Sequence, residues 1–154
     1  MNGFADFETA GRMIPPRVRH MRKFTHGKIV GGEPAELGQF PYQASIQDDI
    51  FGWGHYCGAS ILNSTHLLTA GHCDPYVGDK VVAGIINLDD EGPEAQIRRV
   101  DRVVIHPQYS GVENDVAVVT LDEPFVFNEF VGPVTLPLDG QQPSNEPGRS
   151  LTSI

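Results

Sequence analysis

Short apolar runs separated by turn residues organise most of this chain. "FPYQASIQ" (40–47), "YCGASIL" (56–62), "HLLTA" (66–70), "KVVAGIIN" (80–87), "QIRRVDRVVI" (96–105) and "VAVVTL" (116–121) each have the length and Val/Ile/Leu/Tyr content of a strand. Between them stand Gly52-Trp53-Gly54, Asn63-Ser64, Gly78-Asp79, Glu91-Gly92-Pro93 and Ser110-Gly111, which are turn formers. Strands this short at near-regular spacing predict a sandwich or a small barrel. No interval carries a helical apolar stripe. After Leu121 the chain is Pro-spaced and extended, and the tail "QQPSNEPGRSLTSI" has little apolar content. Residues 1–28 are Pro-broken and aperiodic, which predicts a disordered leader.

Composition narrows the class. A chain of 154 residues, with 17 Gly and 12 Pro, suits one turn-rich all-β domain with a real core. No apolar run approaches the ~18 residues of a membrane span. The leader holds six basic and two acidic residues, +4, so residues 29–154 carry −13 of the whole-chain −9. An acidic body of this kind argues against nucleic acid or an anionic membrane as partner. The first 20 residues contain no apolar h-region, so no secretory signal is visible in them.

Candidate chemistry clusters around "STHLLTAGHC" (64–73). His72 closes an apolar run against Cys73, and its type alone fits a structural histidine, a metal ligand or a base. A zinc reading of His55, Cys57, His66, His72 and Cys73 lacks the C-x-x-C or H-x-x-x-H spacing that such sites use. The chain has two cysteines, Cys57 and Cys73; a bridge between them would fasten neighbouring strands and add about 3 kcal/mol in the chain-entropy model. Asp115 opens the last strand and taken alone reads as a turn residue. Its functional reading depends on His72, because a carboxylate bonded to one imidazole nitrogen frees the other to act as base. Asn63-Ser64-Thr65 is a glycosylation sequon. Lys28 precedes Ile29-Val30-Gly31-Gly32, where a cut would create a new apolar amino terminus.

Six segments taken in order resemble the first half of a trypsin- or chymotrypsin-like serine protease zymogen. They are Lys28-Ile29-Val30-Gly31-Gly32, Phe40-Pro41-Tyr42-Gln43, Cys57-Gly58-Ala59-Ser60, Thr69-Ala70-Gly71-His72-Cys73, His106-Pro107-Gln108-Tyr109 and Asn114-Asp115-Val116-Ala117. The resemblance implies an antiparallel Greek-key barrel of six strands over residues 29–137, the first barrel of a trypsin-like fold. An extended linker and tail over 138–154 would follow it. It implies that His72 is the general base, Asp115 its orienting partner and Cys57–Cys73 a disulfide. Lys28–Ile29 would be the activation cleavage site. It further implies protein or peptide substrates, an activating trypsin-like protease, an extracellular location, no cofactor and no catalytic metal.

Two departures qualify that expectation. Some relatives hold calcium in a loop with a glutamate near each end; here Ile85 stands near the first position and Glu94 near the last, so "GIINLDDEGPEAQ" is expected to be a solvated acidic loop. The nucleophile motif Gly-Asp-Ser-Gly-Gly is absent from these 154 residues. Ser45, Ser60, Ser64, Ser110, Ser144, Ser150 and Ser153 all lie outside any Gly-x-Ser-x-Gly turn. The expectation is therefore an N-terminal half of a serine endopeptidase, inactive alone. The alternative is a non-catalytic homologue that binds proteins or acts as a decoy.

Overall fold

Six antiparallel strands close on themselves in a computed structural model that describes residues 34–48, 52, 54–89 and 91–137. All of these belong to the compact unit Pro34–Ile154. The strands are β1 (Gln43–Asp48), β2 (Gly54–Ile61), β3 (His66–Thr69), β4 (Lys80–Ala83), β5 (Gln96–Ile105) and β6 (Ala117–Leu121). Their order around the barrel is β1-β2-β3-β6-β5-β4, and β1 pairs with β4 to complete the ring. The chain thus runs β1 to β3 along one side, crosses to β4, and returns through β5 to place β6 against β3. The all-β six-stranded barrel expected from the sequence is the observed one. The expected leader and tail, with Lys28 and Ile29, lie outside the described residues.

Alternation fills the interior. Ala44 and Ile46 on β1, Ala59 and Ile61 on β2, Leu67 on β3, Val81 and Ala83 on β4, Val100 on β5, and Val119 and Leu121 on β6 form one buried cluster. Strand side chains point to opposite faces with a period of two, and the alternation is clearest on β3 and β6, whose inward residues are buried. Phe125 and Val131, beyond the last strand, join that cluster. The segment carrying them is tied down by Phe125 N–H to the Ser64 carbonyl at 2.8 Å, Gly132 N–H to Pro41 at 2.9 Å and Val134 N–H to Ile61 at 2.8 Å. Arg98 lies over the Phe125 ring, 5.4 Å from its centre.

Most strand boundaries fall within two residues of the sequence expectation, and two larger differences have local reasons. β4 stops at Ala83, not Asn87, because Gly84 has φ +76° and a Cβ there would stand 2.5 Å from the Glu94 carbonyl oxygen. Only glycine takes that backbone and that approach cheaply. β1 starts at Gln43, not Phe40, since residues 40–43 make a turn closed by Gln43 N–H to the Phe40 carbonyl at 3.0 Å.

Candidate active site

The register between β3 and β6 positions the site. Thr69 pairs with Ala117. The strands are antiparallel, so β3 leaves the barrel where β6 enters it. His72 follows Thr69 by three residues and Asp115 precedes Ala117 by two, so two residues 43 positions apart return to one rim. The chain leaves β3 through one 3-10 turn, Gly71–Cys73, followed by Asp74 at φ 45°. That turn is anchored at both ends. Thr69 Oγ1 donates to the Gly58 carbonyl at 2.8 Å, and Cys57 and Cys73 form a disulfide with Cα atoms 6.1 Å apart. The bridge fastens the turn to β2.

Asp115 holds His72 twice. The imidazole Nδ1–H donates to Oδ2 at 2.7 Å and the backbone N–H of His72 donates to Oδ1 at 2.7 Å. Both carboxylate oxygens are thereby used on one residue, which fixes the ring's position and its tautomer. With Nδ1 as donor, a neutral imidazole carries its free lone pair on Nε2. The bond from the His72 side chain, then the one from its backbone, keep the Asp115 carboxyl below the usual carboxylate range. His72 is 61% exposed at its side chain, and Cys73 Sγ lies 3.9 Å from Nε2.

The loop ahead of Asp115 sets its direction. Asn114 sits at φ 55°, a left-handed conformation that asparagine tolerates better than most residues. Its Nδ2 donates to the Gln108 carbonyl at 3.1 Å. Gly71 is pressed against the same group: a Cβ would lie 3.2 Å from Asp115 Oδ1 and 3.3 Å from both Ile105 Cγ2 and Tyr109 Cγ. Asp79, read from sequence as part of a turn, is buried instead. It accepts the Tyr56 hydroxyl and the Tyr76 N–H (2.8 Å), linking the chain just past Cys73 to β2. Its turn-like neighbour Gly78 gave no sequence signal for that role.

The metal readings do not match these donors. Cys57, His72 and Cys73 bring ligand atoms within 4.8 Å of one another, but the two sulfurs are bonded to each other and are not thiolates. In the acidic loop Ile85 lines a recess with Leu37, Phe40 and Phe130, and Glu91 is paired with Lys80. Ile85 therefore brings no side-chain oxygen to the first position of that loop.

The Trypsin family model matches residues 29–152. The chain belongs to the trypsin family. It is 40% identical over 122 residues to Trypsin-1 of Astacus astacus, covering 73% of this chain and 51% of that protein. It thus spans about half the length of the curated relative it matches. Trypsin-like serine protease is therefore the family of this barrel, as the six motifs imply.

Proposed function

We propose that residues 29–137 are the base-bearing barrel of a serine endopeptidase, and that the nucleophilic serine and the oxyanion donors come from a second barrel outside these 154 residues. The observation that carries this reading is the 2.7 Å contact from His72 Nδ1 to Asp115 Oδ2, on a His72 side chain that is 61% exposed. In the scheme worked out for this family, a serine hydroxyl gives its proton to His72 Nε2 as its oxygen attacks the substrate carbonyl. Asp115 stays ionised and stabilises the imidazolium. His72 then passes the proton to the leaving amine, and water repeats the sequence on the acyl-enzyme.

The proposal extends to activation and setting. Cleavage between Lys28 and Ile29 by a trypsin-like protease would release the Ile29 amine, and the family match begins at residue 29. The disulfide supports an oxidising, extracellular location. Substrates are proteins or peptides. The acidic body leaves nucleic acid and anionic membranes without a basic footprint, and no helix among the described residues is long and apolar enough to cross a membrane.

Labelling by a fluorophosphonate probe tests the reading. A protein carrying this barrel with a Gly-Asp-Ser-Gly-Gly second barrel should label stoichiometrically after the Lys28 cut, and His72→Ala should abolish it. The 154-residue chain alone should not label. Stoichiometric, His72-dependent labelling of that chain would overturn the two-barrel division. No labelling of the complete protein would favour a binding or decoy role.

A further inference from the structure

The serine protease reading leaves Asn63-Ser64-Thr65 unused. This tripeptide forms the turn between β2 and β3, and Asn63 is exposed. Its carboxamide is oriented by its neighbours. Oδ1 accepts the Thr65 N–H at 3.0 Å, the Thr65 hydroxyl at 3.2 Å and the His66 N–H at 3.0 Å, with His66 Nδ1 at 3.1 Å. Two backbone N–H donors on one atom identify it as the oxygen. Nδ2 has no partner among the described residues.

The turn is also held from behind. The Ser64 carbonyl accepts Phe125 N–H at 2.8 Å and the Thr65 carbonyl accepts Leu121 N–H at 2.9 Å. Its backbone therefore faces the barrel while the Asn63 amide nitrogen is left to solvent. A bulky group on Nδ2 would break no hydrogen bond of the fold. β3 separates this turn from the His72 rim; at about 3.3 Å per residue its four residues span roughly 10 Å. A substituent here stands at the opposite end of the strand from the catalytic pair.

We propose that Asn63 is an N-glycosylation site, occupied when the protein passes through a secretory pathway, a setting that rests on the extracellular reading above. The donor is an oligosaccharide linked to a polyprenyl diphosphate. Asn63 Nδ2 forms the bond to the anomeric carbon, the carbon–oxygen bond to the diphosphate breaks, and the diphosphate leaves with that electron pair. Nδ2 gives up one proton. The Thr65 hydroxyl is required at the third position, and the intervening Ser64 is not proline, as the motif demands.

The test is to express the full chain behind a heterologous secretion signal in insect cells and treat it with peptide-N-glycosidase F. Both the medium and the intracellular pool are digested, so retention does not conceal the result. The expected outcome is a mass loss of roughly 1–2 kDa, with Asn63 converted to an aspartyl residue in its peptide. Asn63→Gln and Thr65→Ala should each remove the shift, and Thr65→Ser should keep it. Chain carrying the Cys57–Cys73 bridge with unmodified Asn63 would overturn the proposal while leaving the extracellular reading intact. Protein from its natural source lacking the bridge would instead count against the extracellular reading.

Discussion

Removing the Cys57–Cys73 bridge perturbs the fold and the site together. The cysteines are 16 residues apart, and closing a loop of that size lowers unfolded-chain entropy by about 10 cal/mol/K, or about 3 kcal/mol at room temperature. The paired variant Cys57→Ala, Cys73→Ala is preferable to serine, since Cys73 is buried and a hydroxyl there would lack a partner. For a domain of this size, a loss of about 3 kcal/mol lowers Tm by roughly 10–20 °C. The local effect is more specific. The bridge is the covalent tie of the His72 turn to β2, so its loss should loosen His72 before the core strands. Urea denaturation of the wild-type and paired-alanine chains measures the first effect. Backbone amide exchange at residues 70–74, compared with residues 57–61, measures the second. A stability loss under about 1 kcal/mol would refute the loop-entropy reasoning, and unchanged exchange at His72 would refute the anchoring.

Acid should act through Asp115. Its folded pKa lies below the ordinary carboxylate value, so its contribution is present above the unfolded pKa and is lost as pH falls through the folded one. Melting followed from pH 5 downward should therefore show a steeper acid limb for wild type than for Asp115→Asn, and superimposable limbs would count against the two His72 bonds. Asn114→Val should destabilise by about 1–2 kcal/mol, because a β-branched residue resists the left-handed backbone at that position. Asn114→Gly should cost less; equal losses in urea titrations would mean that the backbone conformation is not what Asn114 supplies. Gly84→Ala should exceed both, since its Cβ meets a carbonyl oxygen at 2.5 Å, and a melting temperature within a degree or so of wild type would contradict that contact.

The barrel was legible because turn-forming residues separate its short apolar runs. Gly78-Asp79 and Ser110-Gly111 mark their turns from composition alone. The limits of β4 were not, since they depend on how closely Gly84 approaches Glu94 in the fold. The same distinction runs through the site. His72 stands out locally as an ionisable group ending an apolar strand. Asp115 does not, because its meaning comes from the β3–β6 register that joins two residues 43 positions apart, and only the family's motif order pointed to it. Asp79 and Phe125 were silent for a related reason: one is a turn residue made buried by Tyr56, and the other a core residue supplied by a segment with no strand pattern.

The central claim is that this barrel by itself presents His72 as an oriented base, with Nδ1 donating to Asp115 and Nε2 the unprotonated nitrogen. Nitrogen and proton NMR of the imidazole in the folded chain tests it most directly. The account predicts a His72 protonated at Nδ1, with that proton's resonance shifted downfield by the Asp115 bond and the shift lost in Asp115→Asn. A His72 protonated at Nε2, or one whose ring signals match a free histidine and ignore Asp115→Asn, would contradict it.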